Sequence, residues 1–222
     1  MDIFVFGLTL SLMYGLIAAG FALILGTSRI FDLCFGSYYM LAAYSYFVCY
    51  AILGKVPSLF VSIFVGCVFA WLIHRFILYR FRETPIVVMV ISTALAIAIS
   101  ECITFFFGSE YKYVPPLWEG NVDIFGVSIA HQRLLAGVVS ILAMSLLWMY
   151  LNKTKQGLAI RALIQQPEVA ELVGIKPRNI HLTVACIGAG LGGLGSIMVV
   201  PVFTLTPHIW RKTISLTPLL SW

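Results

Sequence analysis

The chain has 222 residues, of which 61% are hydrophobic, 14% aromatic and only 10% charged. A mean hydropathy of +1.00 excludes an ordinary water-soluble domain and describes a polytopic membrane protein. The net charge of +5 does not describe a nucleic-acid binder, because the Lys and Arg residues fall in short loops between apolar runs, where they set membrane orientation.

Six stretches are long enough to cross ~30 Å of hydrocarbon as helices. They are Ile3–Gly26, Phe31–Leu53, Ser58–Tyr79, Ile86–Phe107, Leu134–Leu151 and Ile180–Val202. The expected fold is therefore an all-α transmembrane bundle, with residues 1–222 forming one domain. The N-terminus has one acid and no basic segment, and its apolar run exceeds a signal-peptide core, so it reads as a retained first span. That span places Gly7, Ser11, Gly15 and Ala19 on one face, which predicts a close helix–helix contact there. Just beyond it stand Arg29 and Asp32, read either as an ion pair at the membrane surface or as a gate or substrate contact.

Arg75, Arg80 and Arg82 lie between the third and fourth spans, and Lys153, Lys155, Arg161, Lys176 and Arg178 between the fifth and sixth. Both loops should face the cytoplasm, which puts the N-terminus outside. In the fourth span Glu101 shares a helical face with Thr93, Ala94, Ala98 and Thr104. An acid facing lipid costs ~2.5 kcal/mol or more, so Glu101 is expected to look inward. Two roles fit it: a protonated acid bonded to a neighbouring helix, or part of a translocation path. The outer loop, residues 108–131, carries Glu110, Glu119 and Asp123 against Lys112, with Pro115, Pro116 and Trp118.

Residues 152–179 form the longest polar interruption on the cytoplasmic side. Pro167 suits the first position of a helix and Gly174 its end, which predicts a short helix from Pro167 to Val173 with Glu168 at its positive end. A helix of about two turns is marginal alone in water, and Leu163, Ile164, Val169, Leu172 and Val173 offer apolar surface, so the loop reads as a docking element for a soluble partner. The sixth span contains GAGLGGLGS, in which Gly188, Gly190 and Gly193 satisfy GxGxxG. No strand precedes it and no acid follows at the required distance, so the run is read as helix packing and not as a dinucleotide site. Pro201 and Pro207 end or kink this helix, and the tail carries His208, Arg211 and Lys212.

Neither HExxH nor GxSxG occurs, carboxylates are not paired, and Cys34, Cys49, Cys67, Cys102 and Cys186 form no CxxC. No catalytic residue, cofactor or metal site is assigned. GxxxxGK[ST] is also missing, so any ATP hydrolysis by the phosphate-loop route belongs to another subunit.

From Thr154 the loop reads T-x-x-G-x-A-I-R-A-x-x-Q-x-x-E-x-A-x-L-x-G-I. It resembles the permease subunits of branched-chain amino acid ABC transporters, the LivH type. Glu168, Ala170 and Gly174 match the E-x-A-x-x-x-G core by which such permeases engage their ATPases. Gly157 and Arg161 belong to the same loop. A second stretch, GTSRIFDLCFGSYYMLAAY from Gly26 to Tyr44, is similar to the family's G-x-x-x-x-x-N-F-A-H-G-x-x-x-M-L-G-A-Y. It keeps Gly36, Met40, Leu41, Ala43 and Tyr44, but has Asp32 for Asn, Leu33 for Phe, Phe35 for His and Ala42 for Gly.

The resemblance covers essentially the whole chain, although family members run longer, which makes this a C-terminally short member. It implies a transport subunit in the bacterial inner membrane, working by alternating access. The implied partners are a second permease chain, cytoplasmic ATP-binding subunits and an external solute-binding protein. Glu101, Thr93, Asp32 and Gly36 are the candidates for the translocation path. The alternative is a self-sufficient channel or secondary carrier for a small solute such as urea or an amide.

Overall fold

The computed structural model describes residues 2–28, 32–81, 84–108, 120–124 and 127–201. Its long helices are α1 (Asp2–Ser28), α2 (Phe35–Leu53), α3 (Lys55–Phe76), α4 (Pro85–Phe107) and α5 (His131–Lys153). Two short helices follow, α6 (Lys155–Gln165) and α7 (Pro167–Leu172), and then the last long one, α8 (Pro177–Val199). A 3₁₀ turn, Leu78–Phe81, joins α3 to α4. A two-stranded antiparallel hairpin, β1 (Asn121–Ile124) and β2 (Val127–Ala130), leads into α5.

The all-α bundle expected from the sequence is present, with that hairpin as an insert. Among the described residues, five helices are long and apolar enough to cross a membrane: α1 from Gly7, α3, α4, α5 and α8. The remaining predicted span, α2, has 19 residues, or ~28 Å as a helix, and its five tyrosines dilute its apolar character. It tolerates them because it lies inside the bundle, packed on α3, α8 and α4, with Tyr38, Tyr39, Tyr44 and Tyr46 all buried.

The helix around which the others pack is α8, which contacts α1, α2, α3 and α5. Lipid removes the hydrophobic drive between helices, so close approach of backbones must supply the contact energy. Its glycines provide that approach. A Cβ at Gly188 would lie 2.7 Å from Ile24 of α1, one at Gly195 would lie 2.5 Å from Ile17 of α1, and one at Gly192 would lie 2.9 Å from the Phe35 ring of α2. Gly193 sits against Ala42 of α2 and Gly190 against Cys67 of α3. The packing reading of GAGLGGLGS is therefore correct.

The stripe expected to pack in α1 is not the one that does. Cβ atoms at Gly7 and Gly15 would meet nothing within 4 Å, whereas one at Gly20 would lie 2.7 Å from the Gly188 carbonyl. Spacing alone marks a small face on a helix; which face the partner takes depends on the bulky residues beside it, here Ile17 and Ile24, which fill the α8 glycine notches.

At the other end of the hierarchy, α4 touches mainly α2 and the 3₁₀ turn. Its buried stripe is Val88, Ser92, Ala96, Ile99, Ser100 and Ile103, and the rest of its circumference is open. Helices α2 and α3 form a hairpin through the single residue Gly54, whose φ of +86° only glycine adopts readily. Arg29, Arg82, Glu110, Lys112, Pro115, Pro116, Trp118 and Glu119, and Pro207, His208, Arg211 and Lys212 of the tail, lie outside the described residues.

Replacing Gly20 with Leu should destabilise the protein by about 1–3 kcal/mol or more, because the new side chain meets backbone that cannot yield. Gly15→Ala should be neutral or slightly stabilising. Thermal midpoints of the two variants in one detergent check this, and equal midpoints would refute the α1–α8 assignment.

Candidate functional site

The polar stretch between α5 and α8 is more structured than its sequence suggested. It is a ledge of two helices set at the end of α5. Thr154 caps α6 by accepting a hydrogen bond from the Gly157 amide at 2.9 Å. Gly157 makes the corner between α5 and α6: a Cβ there would run into the Tyr150 and Leu151 carbonyls. Arg161 braces the same corner, its Nη1 donating to Asn152 Oδ1 at 3.0 Å. Ile160 and Leu163 bury the inner face of α6, which packs on α1 and α8 as well as on α5. Helix α6 was missed in the sequence, where no Gly or Pro separates it from α5; Thr154 with Gly157 three residues on was the available signal.

Pro167 opens α7 as expected, and its end is a complete glycine stop. The Ile175 amide donates to the Ala170 carbonyl at 3.1 Å, the Gly174 amide to the Glu171 carbonyl at 3.0 Å, and Gly174 has φ +89°. Glu168 is exposed in the first turn. Ala170 is buried and lies at the groove between α6 and α7, where its small side chain lets the two helices sit close together. The outward residues are Val169, Leu172 and Val173; Leu172 is 86% and Val173 77% exposed. Between α6 and α7 lies an open groove of about 490 Å³, bordered by Leu158, Ala162, Val169 and Val173. Leu172 and Val173 thus put large aliphatic groups on the outer surface of a very short helix.

The four residues proposed for a translocation path do not form one cluster. Asp32 and Gly36 come together, buried at the start of α2. Asp32 Oδ1 accepts from the Cys34 amide at 2.9 Å, while Oδ2 accepts from the Tyr38 hydroxyl at 3.3 Å and lies 3.0 Å from His74 Nε2. The next amide, Leu33, reaches Ser92 Oγ of α4 at 3.4 Å. Asp32 is thus a buried carboxylate tied to α3, and His74 was not singled out in the sequence. Nothing in the linear chain could have paired them, because the contact spans 42 positions. The Arg29 alternative lies outside the described residues.

Thr93 is half-buried on α4, its hydroxyl donating to the Met89 carbonyl at 2.7 Å. Glu101 corrects the sequence reading: it is exposed, on the side of α4 opposite the buried stripe, beside Ala98, Cys102, Thr104 and Phe105. The rule that an acid turns inward assumes that the chain's own helices surround it, and on this side of α4 the described residues supply none. By contrast, the outward faces of α3 and α5 within their spans are aliphatic and aromatic, with Phe60, Phe64 and Val68 on one and Val138, Ile141 and Leu142 on the other. No group of His, Cys, Asp or Glu among the described residues could hold a metal ion.

The family model described as "Branched-chain amino acid transport system / permease component" matches residues 3–219. The chain is 24% identical to the high-affinity branched-chain amino acid transport system permease protein BraD of Pseudomonas aeruginosa, over 86% of this chain and 68% of that protein. It is also 24% identical to the permease protein LivH of the same kind of system in Salmonella typhimurium and in Escherichia coli K12, over 91% of this chain and 71% of each of those. No solved structure matches. A bundle of membrane-length helices with an amphipathic ledge at one end, matched by the family model along nearly its whole length, belongs to the branched-chain amino acid transport permease family.

Proposed function

We propose that this chain is the membrane-spanning permease subunit of an ABC importer for branched-chain or other small amino acids, driven by separate ATP-binding subunits. It sits in the bacterial inner membrane with the α6–α7 ledge in the cytoplasm and the N-terminus outside, as its loop cations require. The observation that carries this reading is α7 itself: a six-residue helix closed by Pro167 and Gly174, presenting Leu172 and Val173 to water at the end of a membrane bundle. The ATPase covers that surface. A second permease chain, the same or a paralogue, completes the path, and an external solute-binding protein delivers the substrate.

The exposed Glu101 supports a second chain. Facing lipid it would cost ~2.5 kcal/mol or more, and a neighbouring subunit removes that cost by supplying polar groups or water. Glu101→Gln should then keep most uptake, because size and hydrogen bonding survive. Glu101→Leu should lower uptake without lowering membrane abundance. Unchanged uptake in Glu101→Leu would assign this face to lipid.

The ledge is tested by crosslinking. A cysteine at position 172 should crosslink to the ATP-binding subunit in membranes that hold both, whereas one at the buried position 170 should do so poorly. If position 172 instead reacts with a membrane-impermeant thiol reagent added outside intact cells, both docking and orientation are wrong. Gly174→Val forces a β-branched residue into the left-handed region at ~1–2 kcal/mol, a local strain at the α7 stop. Uptake should fall by more than abundance does. Glu168→Arg opposes the helix dipole by about 0.3–1 kcal/mol and should lower uptake and substrate-stimulated ATP hydrolysis together.

A further inference from the structure

Asp32 poses a problem that its surroundings answer in part. It is 2% exposed, at the mouth of α2, where an ionised carboxylate needs hydrogen-bond donors on both oxygens and a countercharge or strong dipole. The Cys34 amide serves one oxygen, and the Tyr38 hydroxyl and His74 serve the other. Arg75, next to His74 in the chain, does not help: its guanidinium lies over the Trp71 ring, 5.2 Å from the centroid. His74 is therefore the one residue of α3, among those described, that meets the carboxylate.

The position of this contact gives it leverage. Helices α2 and α3 are joined at one end by Gly54 alone, and Asp32 and His74 close the opposite end of that helical hairpin. Between these ends the two helices meet across small groups, with Gly66 against Ala42 and the Tyr38 carbonyl. To that close apolar contact the polar tie at the open end adds a directional bond, which helps to fix the register. The same turn holds α4 through the Leu33 amide and Ser92.

We propose that His74 is the positioning residue for Asp32: the pair latches the open end of the α2–α3 hairpin and fixes the start of α2, on which transport depends. This rests on the reading of that end as part of the translocation path. It explains why an acid can stand here where the resembling family has Asn. The acid and His74 act as a matched pair, and losing His74 is harmful only while position 32 is an acid.

The buried native thiol of Cys34 reports on the latch, in membranes of a variant whose other four cysteines are Ala. His74→Ala should raise the rate of Cys34 labelling by N-ethylmaleimide at least about tenfold, because it strands a buried carboxylate. His74→Gln retains a donor and should raise it by no more than about threefold. In a D32N background, His74→Ala should likewise add no more than about threefold over D32N alone. An equal effect of His74→Ala in both backgrounds would show a packing role only and overturn the proposal, as would no effect in either. If His74→Ala fails to accumulate in the membrane, Asp32→Asn must restore it; failure to restore also overturns the proposal.

Uptake normalised to abundance should follow the same cycle, falling in His74→Ala and recovering in the double variant. Normal uptake in a His74→Ala protein with an exposed Cys34 would overturn the dependence of transport on the latch while leaving the importer reading intact. Absence of amino acid uptake by the parent protein with its partners would defeat the importer reading, and the labelling cycle would still decide whether the latch exists.

Discussion

Close backbone contact along α8 is the constraint on which the bundle depends. A membrane helix gains nothing by hiding Leu from lipid, so association rests on how near two helices come and on what they bond. The glycines of α8 are distributed around its circumference and serve three neighbours: Gly188 and Gly195 receive Ile24 and Ile17 of α1, Gly192 and Gly193 receive Phe35 and Ala42 of α2, and Gly190 faces Cys67 of α3. Such a helix cannot move against one neighbour without disturbing the others. The consequence is a tightly keyed centre, α1–α2–α3–α8, with α4 attached to it along a narrow stripe.

That contrast separates two kinds of polar residue. Asp32 lies within the keyed centre, and its carboxyl oxygens meet the Cys34 amide, the Tyr38 hydroxyl and His74 there. Glu101 lies on the loosely attached helix, exposed, with no other helix facing it among the described residues. The first is a local solution to burying an acid; the second acid has no such solution among the described residues. The two carboxylates therefore sit under different physical demands although both occur beside apolar segments.

Much of this was legible in the linear chain, because helix length, loop charge and helix stops are local properties. The long helices of the bundle, the Pro167 and Gly174 boundaries and the rejection of a dinucleotide loop at GAGLGGLGS all rest on residues within a few turns of one another. What the chain could not disclose was pairing. Gly20 and Gly15 look alike on a helical wheel, yet only Gly20 finds a partner backbone. His74 looks like one more loop-end cation until the fold brings it to Asp32. Glu101 was turned inward by a rule about lipid that takes no account of what surrounds the chain. Ala170 reads in the linear chain as small and nothing more; the fold shows it buried at the groove between α6 and α7.

The ledge and the centre are joined through α6, and this bears on how a push at α7 would travel. Thr154 and Gly157 hold α6 at a fixed corner to α5, and Ile160 and Leu163 insert its inner face toward α1 and α8. Under the importer reading, displacement of α7 reaches first the tightly keyed helices, which respond as a body because their glycine contacts admit no gradual slip. Helix α4, held to α2 by Ser92 and Ser37 and to α3 through the 3₁₀ turn, has the weaker attachment and so absorbs the relative motion. The boundary between moving parts then falls at the α2–α4 stripe, which starts at Asp32 and leaves Glu101 on the far side. A latch on the α2–α3 hairpin would keep the keyed body whole while that boundary opens, which gives the buried Asp32–His74 contact at its mouth a mechanical reason to exist.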